Sequence, residues 1–158
     1  MAYHVAILED DTNRLLEMKA CLDELLPEYV HCFFDSATEM VNWLEENISS
    51  VVLISLDHDL PIIQYRMGKR VEAGTGRFVA DYLATREPVC PVIVHSLSSN
   101  NGEGMARVLT DTKWPVTRIQ PFGEYEWVRQ IWKPLIENYI SQGWIFSTQR
   151  NEISQARP

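Results

Sequence analysis

Short apolar runs alternate with longer segments of helical periodicity along this chain, and the alternation repeats five times. The short runs fit strands that are buried on both faces, whereas the longer segments place their apolar residues on one side of a helix. The pattern predicts five βα units, and hence an α/β fold in which helices cover a parallel sheet. The predicted strands span residues 3–8, 29–34, 51–56, 91–94 and 116–119, and the predicted helices span residues 12–26, 36–47, 77–85, 103–111 and 125–139.

Three segments depart from simple βα units. Residues 61–75 form a connection that is longer than usual, so we expect an irregular lid or binding loop there. Pro134 lies inside the last predicted helix and should bend or loosen it. Residues 1–140 are predicted to form the domain, with 141–158 as a partly docked or flexible extension.

Composition narrows the classes of function. The 158 residues fit one domain, and 22 acidic against 14 basic residues give a net charge of -8. Such a surface repels a phosphate backbone, which argues against generic nucleic-acid binding. Three scattered cysteines indicate neither a disulfide framework nor a zinc site. The chain shows no export signal and no apolar run of membrane-spanning length, so we expect a soluble cytoplasmic protein.

Polar side chains collect where the predicted strands end. They are Glu9, Asp10, Asp11, Asp57, His58, Asp59, His95, Ser96 and Gln120. In an open parallel sheet, ligands bind beyond the carboxyl ends of the strands. Clustered carboxylates repel one another unless a cation or shifted pKa values relieve them, and Mg²⁺ or Mn²⁺ suits carboxylate oxygens. The sequence therefore predicts a metal site of Asp10, Asp11 and Asp57, with Asp59 as either a further ligand or a turn residue.

Two acidic motifs carry a family resemblance. Ile7-Leu8-Glu9-Asp10-Asp11 and Leu56-Asp57-His58-Asp59-Leu60-Pro61 resemble those of response-regulator receiver domains. The resemblance implies a flavodoxin-like fold with five parallel strands in the order 2-1-3-4-5. It also implies that Asp57 is the phosphoacceptor, that Asp10 and Asp11 help to hold Mg²⁺, and that Ser96 hydrogen-bonds a phosphoryl group.

The chain departs from typical receivers at one position in particular. Receivers carry a lysine before the proline that follows the fifth strand, and this chain has Gln120-Pro121 instead. His58 and His95 are also unusual additions. The LDHDL motif, Thr75-Gly76, Val94-His95-Ser96, Asn100, Gly104 and Met105 together resemble a receiver subfamily named for predicted cyclic-phosphate processing. That resemblance implies a cyclic phosphodiester substrate, either a small molecule or a 2',3'-cyclic nucleic-acid terminus.

Roles for the remaining residues stay open at this stage. His58 and His95 could exchange protons with water or a leaving oxygen, or could only position neighbouring groups. Asp57 could be a metal ligand or a nucleophile. Phosphate oxygens could be bound by Ser96, Asn100 and Gly102, and attracted by Arg66 and Arg70, although these two arginines could equally belong to a solvated loop.

Three functions are compatible with these patterns. The first is a metal-dependent phosphoester-processing enzyme, in which Asp57, His58 and His95 are the catalytic candidates. The second is a stand-alone receiver that a histidine kinase phosphorylates on Asp57. The third is a pseudo-receiver that binds a partner without chemistry. By resemblance alone, a homodimer is compatible with all three.

Overall fold

The computed structural model describes residues 2–60 and 63–146, and its main feature is a parallel sheet with helices on both faces. The described strands are β1 (His4–Leu8), β2 (Val30–Phe34), β3 (Val51–Leu56), β4 (Ile63–Arg66), β5 (Lys69–Glu72), β6 (Val92–His95) and β7 (Val116–Ile119). The described α-helices are α1 (Thr12–Leu25), α2 (Ala37–Asn47), α3 (Gly76–Leu83), α4 (Ser99–Asp111) and α5 (Lys133–Ser141).

The main sheet has the strand order β2-β1-β3-β6-β7, with all neighbours parallel. Strands β4 and β5 form a separate hairpin, so this order corresponds to 2-1-3-4-5 among the sheet strands. The predicted flavodoxin-like fold is therefore confirmed. Its three inner strands, β1, β3 and β6, are almost entirely buried, as expected from their largely apolar sequences.

Alternation along the strands divides the core into two layers. Val5 and Ile7 of β1 pack on the side of α1 and α5, whereas Ala6 and Leu8 pack on the side of α2, α3 and α4. Successive side chains of a strand point to opposite faces, so each central strand contributes to both layers. Burial on both faces holds the carboxyl ends of the strands at one rigid edge.

The long connection after β3 is more regular than expected. Strands β4 and β5 pair antiparallel, and Met67 and Gly68 at their turn have φ values of 54° and 77°. Positive φ at both central residues is typical of a tight type I′ turn, in which glycine is favoured. The expectation of an irregular segment was therefore wrong for residues 63–72. Pro61, part of the motif that resembles receivers, lies outside the described residues.

The last helical segment changes its hydrogen-bonding pattern before Pro134. Val128–Trp132 is π-helical, and α5 then begins with Pro134 in its first turn. Proline has no N–H to donate to the preceding turn, which explains a local adjustment at this point. Ile145 beyond α5 is buried in the core, and residues 147–158 lie outside the described part. None of the described helices combines the length and apolar character needed to cross a membrane.

Candidate functional site

Strand register brings three polar residues side by side at the edge of the sheet. Leu8 of β1 pairs with Leu56 of β3, and Leu56 pairs with Val94 of β6. The residues that follow them, Glu9, Asp57 and His95, consequently lie at the same level. All three are buried, and one potential metal-ligand atom of each lies within 4.8 Å of those of the other two.

Glu9 and His95 form a fully buried pair. His95 Nε2 lies 3.1 Å from Glu9 Oε2, while the backbone N–H groups of Asp10 and Asp11 both donate to Glu9 Oε1 at 3.1 Å. Burial by itself would raise the pKa of Glu9, but the hydrogen bonds from His95 and from the backbone outweigh it and hold that pKa below its ordinary value. Glu9 is therefore an anchored carboxylate.

The other nitrogen of His95 is also occupied. His95 Nδ1 lies 2.8 Å from Ser55 Oγ, and Trp132 Nε1 donates to the same oxygen at 3.0 Å. Indole N–H is only a donor, so the Ser55 oxygen accepts from Trp132, and the Glu9 carboxylate accepts from His95 Nε2–H. The His95 ring also stacks on Trp127, with ring centres 5.4 Å apart. These contacts fix the His95 imidazole in the core.

Asp57 is buried among charges of both signs. Its Oδ1 accepts the backbone N–H of Asp59 at 3.2 Å, and its Oδ2 lies 3.9 Å from Arg14 Nη1. Burial raises the pKa of Asp57 to about 7, and the negative charge of Glu9 acts in the same direction. The electrostatic effect of His95, the Asp59 N–H and the Arg14 charge oppose that rise but do not cancel it. The site thus holds a carboxyl that ionises near neutral pH.

The four predicted metal-binding carboxylates line one open cleft of about 550 Å³. The full lining consists of Asp10, Asp11, Thr12, Asn13, Arg14, Asp57, Asp59 and Leu97. Asp11 also caps α1, because its Oδ1 accepts the backbone N–H of Arg14 at 2.9 Å. Burial raises the pKa of Asp10, and the nearby charges of Glu9 and Asp11 raise it further.

The donors in the cleft fit a hard divalent cation. All four predicted ligands are carboxylates, and Arg14 is the one cation among the described residues of the lining. Burial first, and then the charge of Glu9, raises the pKa values of Asp10 and Asp57, and a bound cation would favour their ionised forms. Glu9 and His95 already bind each other, which leaves Asp10 and Asp57 as the more available donors. Mg²⁺ or Mn²⁺ suits this oxygen-rich set better than zinc does.

His58 lies beside the cleft but in a different environment from His95. Its Nδ1 is 3.0 Å from Asp59 Oδ1, and its side chain remains partly exposed. Its backbone carbonyl accepts the N–H of Gly76, the first residue of α3. A Cβ atom at Gly76 would lie only 2.0 Å from the Asp57 carbonyl oxygen, so this close approach of α3 to the site requires glycine.

The predicted phosphate-binding residues do not all converge on the cleft. Ser96 is buried, and its Oγ accepts the backbone N–H of Ser98 at 3.2 Å. Gly102 is buried in α4 against Arg118. Asn100 lines a separate hollow of about 270 Å³ on α4, together with Glu103, Gly104 and Arg107.

The basic residues of the hairpin lie away from the cleft lining. Arg66 pairs with Asp35 and with Glu39, which lies 3.2 Å from Arg66 Nε. Arg70 is exposed on β5. Arg66 thus links the hairpin to the start of α2. That Arg66 and Arg70 attract a substrate stays a prediction.

Two residues of the site were not predicted as functional from the sequence. Glu9 follows β1 directly, so its position was visible, but its pairing with His95 depends on strand register. Arg14 lies in the first turn of α1 and has no motif of its own, although it lies beside Asp57. Because Asp11 caps α1, the first turn of the helix places Arg14 at the same edge of the sheet as the carboxylates.

Fold and site together define a receiver-type domain with an acidic cleft. A family model described as "Cyclic-phosphate processing Receiver domain" matches residues 5–111. The chain belongs to this family of receiver domains, which confirms the resemblance seen in its motifs. No curated protein matches the sequence significantly.

Solved structures show the same fold at low sequence identity. The phosphorylated cyanobacterial phytochrome response regulator RcpA has a TM-score of 0.68 at 20% identity, over 90% of this chain and 96% of that chain. The response regulator domain of Thermotoga maritima CheB has a TM-score of 0.61 at 15% identity, over 91% and 97%. The Mn²⁺-bound response regulator Rcp1 has a TM-score of 0.61 at 14% identity, over 92% and 97%. At these identities the similarity establishes the fold.

Proposed function

We propose that the acidic cleft binds Mg²⁺ or Mn²⁺ and processes a phosphoester, with a cyclic phosphate as the preferred substrate class. The observation that carries this proposal is the convergence of Asp10, Asp57 and Asp59 with Arg14 on one open cleft. Carboxylates can bind a divalent metal, and a metal together with an arginine can bind a phosphate group. The family description, which names cyclic-phosphate processing, supports the choice of substrate.

Asp10 and Asp57 would hold the ion, with Asp11 and Asp59 near enough in the lining to contribute. A divalent ion bound there supplies Lewis-acid polarisation of a phosphoryl oxygen. The protein's own part is to present ionised carboxylates, and the fully buried Glu9 lies next to Asp57. The negative charge of Glu9 disfavours an ionised Asp57 without a counter-ion, and it would attract a cation bound beside Asp57.

His58 is the better candidate for proton transfer. Its Nδ1 binds Asp59 Oδ1 at 3.0 Å, which leaves Nε2 as the basic nitrogen, and the ring is partly exposed. His95 has both nitrogens occupied and no exposed surface. We therefore assign proton exchange to His58 and a positioning role to His95.

The cleft size limits the substrate. About 550 Å³ is enough for a small cyclic nucleotide or for the terminal residue of a longer strand. The net charge of -8 opposes extended contact with a polyanion. A phosphate-containing small molecule or a nucleic-acid terminus is thus the partner class that this site favours.

A second candidate function is signalling by phosphorylation of Asp57. It is favoured by the position of Asp57 at the carboxyl end of the central strand β3, within a fold shared with response regulators. A histidine kinase would then supply the phosphoryl group, and output would come from docking or pairing of the domain, in the cytoplasm. Phosphorylation of Asp57 without ester turnover would distinguish this function. The absence of both reactions would indicate a pseudo-receiver.

The decisive experiment is turnover of cyclic and linear phosphoesters with Mg²⁺ or Mn²⁺ by wild type, Asp57→Asn and His58→Gln. Asp81→Asn serves as the control, because its exposed carboxylate pairs with Arg77 outside the cleft lining. Turnover that both site variants lose and Asp81→Asn keeps would support the enzyme. Labelling of Asp57 by acetyl phosphate, read by intact mass, with no ester turnover would establish the second function instead.

A further inference from the structure

Arg14 is held in place by contacts that leave its outer nitrogens directed at the cleft. Its Nε donates to the backbone oxygen of Glu124 at 3.2 Å, and its guanidinium lies 5.8 Å from the centre of the Trp127 ring. Its side chain is only 12% exposed. A guanidinium held by its inner nitrogen and by an aromatic face loses little further entropy when it binds a ligand.

The outer nitrogens of Arg14 are not saturated by the carboxylates beside them. Nη1 lies 3.7 Å from Glu9 Oε1 and 3.9 Å from Asp57 Oδ2, and both distances exceed hydrogen-bond range. Within the described part of the chain, Arg14 donates a side-chain hydrogen bond only through Nε. The planar fork of donors therefore keeps its capacity for an oxyanion.

The position that carries lysine in typical receivers provides no cation here. Gln120 is exposed after β7, and its side-chain amide donates to the backbone oxygen of Leu97 at 3.3 Å. Among the described residues that line the cleft, the positive charge comes from Arg14 alone. A phosphate at Asp57 would be repelled by the surrounding carboxylates unless this cation and the metal offset them.

We propose that Arg14 is the phosphate-binding residue of the cleft and takes the place of the cation absent at Gln120. This inference rests on the proposed function in that it assumes a phosphate ligand, but it does not depend on which bond is broken. It places the anion-binding group on α1 instead of after β7. The phosphate would thus bind the outer nitrogens of Arg14 in the cleft that Asp10 and Asp57 also line.

The test is a titration of inorganic phosphate into the Mg²⁺-saturated full chain, followed by NMR, for wild type, Arg14→Gln and Arg14→Lys. We expect Arg14→Gln to raise the Kd for phosphate at least tenfold and Arg14→Lys to raise it less, because lysine keeps the charge but loses the fork. The Kd for Mg²⁺, measured without phosphate, should stay the same or fall in Arg14→Gln, since a cation next to the metal is removed.

Arg77→Gln is the matched control, because Arg77 is an exposed arginine that pairs with Asp81 outside the cleft lining. It should change the phosphate Kd by less than twofold. Phosphate binding to Arg14→Gln within twofold of wild type would overturn the inference, as would a wild type that binds no phosphate. If Arg14→Gln does not fold, the Arg14→Lys comparison decides. Arg14-dependent binding without ester turnover would uphold this inference while contradicting the proposed reaction.

Discussion

His95 Nε2 lies 3.1 Å from Glu9 Oε2 in a part of the core where neither side chain has any solvent exposure. Glu9 also accepts two backbone N–H groups, and His95 is bound to Ser55 through its other nitrogen. A buried pair of this kind tolerates loss of one partner poorly, because the remaining polar group keeps its desolvation penalty. The pair lies in the core next to Asp57, whose carboxylate lines the cleft.

His95→Ala should lower the free energy of unfolding by roughly 3 kcal/mol, because it leaves Glu9 buried without a side-chain partner. Chemical denaturation measures this loss. Glu103→Gln is the control: its partner Arg107 is exposed and 3.7 Å away, so a change below about 0.5 kcal/mol is expected. Equal losses in the two variants would contradict the importance of the buried pair.

Ser55→Ala should destabilise the domain by about 1–3 kcal/mol, since both Trp132 Nε1 and His95 Nδ1 lose their partner. Combining it with Trp132→Phe should cost less than the sum of the two single variants, because the orphaned indole N–H is then removed. A double-mutant cycle measures this coupling. Strict additivity would show that the hydrogen bond from Trp132 to Ser55 contributes no coupling energy.

Asp57→Asn should stabilise the metal-free protein increasingly as pH rises. The folded-state pKa of about 7 lies above the ordinary value of 3.8, so the folded chain binds this proton more tightly than the unfolded chain does. Wild type therefore loses stability between about pH 4 and pH 7 relative to the non-titrating variant, by at most about 4 kcal/mol, and the difference levels off above pH 7.

Denaturation in EDTA across this pH range measures the effect, with Asp81→Asn as the surface control. Addition of Mg²⁺ at pH 8 should then raise the Tm of wild type and leave that of Asp57→Asn nearly unchanged, because binding to the folded state alone stabilises it. A pH-independent difference between wild type and Asp57→Asn would contradict the raised pKa of Asp57.

Gly76→Ala should disturb the site through the backbone of Asp57. The added Cβ would lie 2.0 Å from the Asp57 carbonyl oxygen and 2.8 Å from Met105 Cε, so α3 or the end of β3 must shift. We expect a loss of about 3 kcal/mol or more and weaker Mg²⁺ binding. Gly104→Ala in α4 is the matched control: its Cβ meets only the mobile end of Arg77, at 3.2 Å, and helix propensity favours alanine. Similar behaviour of the two variants would refute the close-contact argument.

The sequence by itself determined the class of fold and the edge at which the site lies. The predicted strands 51–56 and 116–119 correspond to β3 and β7 residue for residue. For β3 the reason is that a central strand covered on both faces gives a nearly continuous apolar run. The acidic motifs after β1 and β3 were visible for the same reason: the parallel arrangement brings both strand ends to one edge. Local sequence carries this information, because strands and helices each have a characteristic spacing of apolar residues.

Only the tertiary structure decided which of these polar residues face each other. The difference between His58 and His95 follows from strand register and burial: His95 lies between Glu9 and Ser55 in the core, whereas His58 binds Asp59 beside the cleft. The hairpin of β4 and β5 was missed because its turn at Met67 and Gly68 lacks a strong turn sequence. Arg14 packs against Trp127, 113 positions further along the chain, a contact that no local pattern encodes.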